Sequence, residues 1–235
     1  MRGVAVEKDT VTKAVLFDLD GTLLDTLQDI ASAANRVMEK HGFPVHPVDA
    51  YRFFIGHGSR TLAERALPPD RRHAEIVDQC TAEFLETYDA GWDRATRPFD
   101  GIYDMLDFLV KKGVRLAVLS NKAHVFTVQC VARFFERYEF DVVLGQQEGL
   151  PLKPDPAGAL KVVWEMNLEP RDFIYVGDSA TDMKTARAAG IYAVGVLWGL
   201  RDEAELKAAG ADKLVSSPLE IKNFFRRRAS SDQHA

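Results

Sequence analysis

Apolar residues recur along this chain in two rhythms. Runs of strand length occur at 14–17, 114–119, 141–144, 173–176 and 192–197. Each of the first four gives way to polar or glycine residues and then to a stretch with the spacing of a helix that buries one face. "GIYDMLDFLVKKG" is the clearest such stretch: Ile102, Met105, Leu106, Leu109 and Val110 share a face, and Gly113 closes the helix. Strands apolar throughout, alternating with helices, predict an α/β fold whose mostly parallel sheet is covered on both sides.

One segment breaks the alternation. Residues 26–96 carry helical patterns and no convincing strand. Ile30, Ala33, Ala34, Val37 and Met38 make one stripe, and Ile76, Cys80, Phe84 and Tyr88 make another. Pro44, Pro47, "GHG" at 56–58 and "PPD" at 68–70 punctuate the helices. The organisation expected is an α/β core from 13–25 and 97–225, an inserted all-helical cap at 26–96, and a flexible tail at 226–235. Residues 1–12 are polar and expected to be loose.

Composition narrows the classes of function. The 235 residues are 46% hydrophobic and 10% aromatic, enough to bury a substantial core. A formal charge of -5 argues against a general nucleic-acid binder. No run approaches the ~18 apolar residues of a membrane helix, and the N-terminus lacks a signal-peptide core, so a cytoplasmic protein without membrane partners is expected. Cys80 and Cys130 have neither disulfide nor zinc spacing and read as buried thiols in a reducing compartment.

The chemistry gathers at strand ends, where parallel α/β sheets collect ligands. The first strand ends in Asp18-Leu19-Asp20, "VRLAVL" ends in Ser120-Asn121, and "FIYV" ends in Gly177-Asp178, with Asp182 one helical turn on. Lys153 lies in "LPLKPDP", after the short strand "FDVVLG". Plain structural roles exist for some of these. Asp182 could favour the positive end of its helix, Ser120 could cap one, and Lys153 could be a surface lysine. The paired aspartates resist such an account, because carboxylates so close together, beside a third, repel strongly unless a cation sits between them.

A small set of hard oxygen ligands suits Mg²⁺. A calcium loop does not fit: the glycine follows the aspartates too soon and no downstream glutamate completes the ring. A carboxylate held beside Mg²⁺ can attack phosphorus, and its neighbour two positions on points the same way and can protonate the leaving oxygen. Mg²⁺, Lys153, the Ser120 hydroxyl and backbone N–H groups would stabilise charge on the transferring group.

These segments also carry a family resemblance. "DLDGTLLDT", "LSNK", "KPDP" and "VGDSATDM" stand in the order and spacing of the haloacid dehalogenase-like phosphohydrolases, and the resemblance runs from residue 13 to 220. The stretch "VGDSATDMKTARAAGIYAVGVLWGLRDEAEL" resembles bacterial phosphoglycolate phosphatases. The resemblance implies a Rossmann-like core under a helical cap. It implies Asp18 as nucleophile, forming an aspartyl-phosphate, and Asp20 as general acid and then base. Ser120, Asn121 and Lys153 would bind phosphate. Mg²⁺ would be held by Asp18, the main-chain carbonyl of Asp20, and Asp178, with Asp182 in support. Members that dehalogenate carbon lack the second aspartate, so Asp20 speaks against that chemistry.

The function expected is a Mg²⁺-dependent phosphatase of a small phosphorylated metabolite, 2-phosphoglycolate first, with inorganic pyrophosphate or a sugar phosphate behind it. A phosphosugar mutase shares the chemistry, but such relatives usually carry valine where this chain has Thr22. A signalling receiver module would be far shorter and uncapped. The oligomeric state is open between monomer and homodimer. In the cap, "FIGHGSRTLAERAL" reads as a turn feeding a helix with Arg60 in its first turn. Open backbone N–H groups beside a guanidinium suit a substrate carboxylate; the alternative is an exposed arginine next to a helix start.

Overall fold

The computed structural model describes residues 12–225; the N-terminal segment up to residue 11 and the tail at 226–235 lie outside the described residues. The elements in chain order are β1 (Ala14–Phe17), β2 (Leu24–Asp25), α1 (Leu27–Lys40), α2 (Gly58–Ala66), α3 (Ala74–Asp89), β3 (Arg97–Pro98), α4 (Ile102–Lys111) and β4 (Arg115–Ala123). Then follow α5 (His124–Phe134), β5 (Val142–Gln146), α6 (Ala157–Glu165), β6 (Phe173–Gly177), α7 (Ala180–Ala188), β7 (Tyr192–Val196), α8 (Glu203–Ala208) and β8 (Lys213–Val215).

Six strands form one sheet in the order β5-β4-β1-β6-β7-β8, and every pairing is parallel. The strand nearest the N-terminus therefore lies in the interior of the sheet. Alternation along β1 decides which face each residue serves. Val15 and Phe17 pack in one cluster with Met105 and Leu109 of α4 and Cys130 of α5. Ala14 and Leu16 pack in the opposite cluster, with Val162 of α6 and Met183 of α7. Both faces are dry, which is why the strands read as continuous apolar runs. On α4 the buried stripe is narrower than the pattern suggests. Val110 is 49% exposed, because it lies one helical step round from Leu109, beyond the arc that meets the sheet.

Between β2 and β3 the chain is helical, with two short 3-10 turns at Val48–Phe53 and Pro69–Arg71 besides α1, α2 and α3. These helices bury their stripes against one another in a third cluster. It takes in Ile30, Val37 and Met38 from α1, Leu62 from α2, and Cys80, Phe84 and Tyr88 from α3. Val77 takes the fully buried place at the start of α3, and Ile76 is only partly covered. Phe126 of α5 and Leu200, beyond β7, join this cluster from the α/β side. The two ends of the helical segment are tied together. β2 and β3 pair antiparallel, Leu24 opposite Pro98 and Asp25 opposite Arg97. Buried Asp29, in the first turn of α1, accepts hydrogen bonds from the backbone N–H of Ala95 and Thr96 and from the Thr96 hydroxyl, the last two at 2.8 Å. Both cysteines are buried free thiols.

Candidate active site

Because β1 lies between β4 and β6, three neighbouring strand ends open on one place. Asp18 follows β1, Ser120 and Asn121 lie towards the end of β4, and Asp178 follows β6; Lys153 comes in on the loop after β5. All five are buried. They share a cavity whose other wall is made by the helical segment, through Ile55, Leu62, Phe84 and Tyr88.

Lys153 organises the deep end of this cavity. Its ammonium donates to Asp182 Oδ1 at 2.7 Å and to the Leu119 carbonyl at 3.2 Å, and it sits 2.8 Å from Asp18 Oδ1. An ammonium has three N–H donors, and each has an acceptor. With 4% of its side chain exposed, Lys153 is no surface lysine. Burial opposes its charge, but Asp18 and Asp182 outweigh burial and hold the group well above its usual range. Asn121 fixes the loop that delivers it: the side-chain amide donates to the Lys153 carbonyl at 3.0 Å and accepts from the Lys153 N–H at 2.9 Å. The same amide donates to the Gly56 carbonyl of the helical segment at 2.9 Å. The Asn121 side chain is therefore engaged with protein, tying the Lys153 loop to the helical segment.

Asp182 serves two purposes. Its Oδ2 accepts from the Ser179 N–H at 3.0 Å and hydroxyl at 2.6 Å, closing a capping box at the start of α7, while Oδ1 takes Lys153. Asp178 accepts from the Leu200 N–H at 2.7 Å. The turn after Asp20 crosses directly over Asp178. Gly21 has φ +85°, and a Cβ there would stand 2.3 Å from Asp178 Oδ2, so only glycine provides both the backbone conformation and the clearance.

Asp18, Asp178 and Asp182 each offer an oxygen within 4.8 Å of the others, all buried. Burial first, and then the charge of Asp182, push Asp18 up to about 7 although Lys153 pulls the other way. Burial, Asp182 and Asp18 push Asp178 well above the ordinary carboxylate range. Three carboxylates around one ammonium are short of positive charge. The cluster has no thiolate or imidazole, so its all-oxygen donor set fits a hard divalent cation such as Mg²⁺.

Asp20 meets different company. Lys122 donates to its two oxygens at 3.1 and 3.3 Å, and the same ammonium donates to the Tyr88 hydroxyl of α3 at 2.9 Å. Burial works against the Lys122 charge too, yet Asp20 and Tyr88 carry it above its usual range. Neither Lys122 nor the Tyr88 hydroxyl stands out in the sequence as a site group. The signal was Lys122's place two positions beyond Ser120, where an extended strand returns side chains to one face.

Arg60 does not join the others; of its two readings, the structure has the exposed arginine beside a helix start. Its guanidinium is exposed and donates to Asp78 at 2.8 Å. The buried face of α2 is Leu62, Ala63 and Ala66, a phase that turns Ser59 to the cavity and Arg60 outward. The guanidinium that lines the cavity belongs to Arg201, in the loop after β7. Its side chain is 9% exposed and every nitrogen is occupied, by the Arg52 and Ile55 carbonyls and by Glu205. Arg52 answers by donating to the Gly199 carbonyl at 3.0 Å, so this pair straps the helical segment to the sheet.

Comparison with known proteins agrees with this geometry. The haloacid dehalogenase-like hydrolase family matches residues 15–196, and the chain belongs to that family. It is 34% identical over 194 residues to a phosphoglycolate phosphatase of Pseudomonas putida, covering 81% of this chain and 71% of that one. A phosphoglycolate phosphatase of Nitrosospira multiformis is 31% identical over 218 residues, covering 92% and 96%. Among solved structures, a candidate phosphoglycolate phosphatase of Lactobacillus delbrueckii subsp. bulgaricus superposes with a TM-score of 0.86 at 29% identity, covering 92% of this chain and 99% of that one. Among the described residues, no helix is long and apolar enough to cross a membrane.

Proposed function

We propose that this protein is a Mg²⁺-dependent phosphatase that works through a phosphorylated Asp18, with 2-phosphoglycolate as its leading substrate. The observation that carries the reading is Asp18 itself: a buried carboxylate at an interior strand end, paired with Lys153 and clustered with two more carboxylates. A carboxylate oxygen of Asp18 attacks phosphorus while the bond to the leaving oxygen breaks, and Asp20 gives that oxygen its proton. Asp20 then takes a proton from water as the water oxygen attacks the aspartyl-phosphate. Phosphate departs and the Asp18 carboxylate is restored. Lys153 and the Ser120 hydroxyl meet the negative charge on the phosphoryl oxygens.

Asp18, Asp178 and the main-chain carbonyl of Asp20 would hold Mg²⁺, which supplies positive charge that lets a carboxylate approach a phosphate dianion. Asp182 supports the site from behind by fixing Lys153. Residues 26–96 act as a cap that keeps bulk water from the reacting groups. The choice of 2-phosphoglycolate is supported by similarity to the Pseudomonas putida and Nitrosospira multiformis proteins. The buried thiols of Cys80 and Cys130 suit a cytoplasmic setting.

A kinetic screen of phosphorylated metabolites with Mg²⁺ tests the substrate: 2-phosphoglycolate should give the highest kcat/KM, and a clearly better substrate would displace it. The metal has a test that needs no turnover. Adding Mg²⁺ to the stripped protein should raise its Tm by linkage, and Asp178→Asn should abolish the shift while raising the Tm of the metal-free protein. An unchanged shift in that variant would remove Asp178 from the metal site.

A further inference from the structure

The shallow end of the cavity holds an ammonium that the reaction just described does not use. Lys122 has 7% of its side chain exposed and lines the cavity beside Asp20. Its donors are directed to Asp20 and to the helical segment. Two N–H groups serve Asp20 Oδ1 and Oδ2, and the third serves the Tyr88 hydroxyl. Tyr88 is itself packed on several sides. It is buried, stacked on Phe84 at 5.6 Å and edge-on to Phe126 at 5.1 Å, in the cluster that joins the helical segment to the sheet. A chain of contacts thus runs from the helical segment through one ammonium to one carboxyl group.

We propose that Lys122 is a positioning residue that fixes the Asp20 carboxyl towards the leaving-group oxygen, and that Tyr88 holds Lys122, so the acid is aligned only when the helical segment is seated. This rests on the reading of Asp20 as general acid. A general acid must lie within hydrogen-bond reach of the oxygen it protonates, and a displacement of about 1 Å can cost ~10²-fold in rate. Asp20 stands beyond the end of β1, in the turn that leads to β2. Contact with both of its oxygens fixes the plane of the carboxyl group as well as its place.

The test uses the full chain with Mg²⁺ and two substrates, p-nitrophenyl phosphate and phenyl phosphate, whose leaving oxygen is much more basic and needs its proton more. Lys122→Met should lower kcat about 30-fold on phenyl phosphate against about threefold on p-nitrophenyl phosphate, with KM nearly unchanged. Tyr88→Phe removes a single oxygen and should show the same selectivity at about fivefold. It carries the test alone if Lys122→Met does not fold. In an Asp20→Asn background Lys122→Met should cause no further loss, because a positioning residue acts through its target. Equal losses on both substrates, a raised KM at unchanged kcat, or full additivity in the double variant would overturn the proposal. Should Asp20→Asn itself slow both substrates equally, the acid reading falls and the proposal with it. A selective Asp20→Asn beside an unselective Lys122→Met overturns the positioning alone.

Discussion

At the deep end of the cavity, every partner of Asp18 comes from the α/β core. Lys153 arrives on the loop after β5, Asp182 on α7, and Asp178 at the end of β6. At the shallow end, Asp20 is held by Lys122, and Lys122 by a tyrosine on α3 of the helical segment. Two aspartates separated by one residue therefore belong to different assemblies. The direct partners of Asp18 all belong to the core, whereas those of Asp20 are shared across the boundary.

That division can be broken or sharpened, and the deep end should give the largest effects. Asp18→Asn keeps the shape and removes the nucleophile; phosphate release should fall by about 10⁴-fold or more, with an unchanged circular-dichroism spectrum. A variant retaining a tenth of the rate would end the covalent reading. Lys153→Ala should lower kcat by about 10²–10³-fold on every substrate. It should also destabilise the protein by about 3–5 kcal/mol in a denaturant titration, since it strands buried carboxylates. Asp20→Asn, at the shared end, should be selective: about 10²-fold on phenyl phosphate and clearly less on p-nitrophenyl phosphate. Uniform loss there would erase the contrast between the two ends. Arg60→Ala should do least, leaving kcat/KM on 2-phosphoglycolate within about twofold and stability within about 1 kcal/mol, as for an exposed ion pair.

The contrast also explains what could be read from the sequence. Strands buried on both faces announce themselves as apolar runs, so β1, β4, β5, β6 and β7 and the carboxylates at their ends were legible. The helical stripes were legible for the same reason. The pairs Leu24–Asp25 and Arg97–Pro98 were not, because two residues cannot show a period. Tyr88 was correctly read as buried, but its hydroxyl belongs to an ion cluster whose other members lie 34 residues away at Lys122 and further at Asp20, beyond any local pattern. The two readings of Arg60 stayed open because the turn drew attention that helix phase would have directed elsewhere. Leu62, Ala63 and Ala66 already point Ser59 inward and Arg60 out.

The antiparallel pair β2–β3 brings the two ends of the helical segment side by side, Asp25 opposite Arg97. Seen as a joint, it is a socket. The core runs on through it regardless of what is spliced between those two residues, since chain ends that lie close together let one unit be inserted in another. A lineage can exchange the cassette above the socket, and with it the half of the substrate that carries no phosphate, without reinventing the catalysis below. The graft has one condition. A foreign cassette must bring its own group to meet the ammonium of Lys122, or nothing above the socket will hold that ammonium against Asp20.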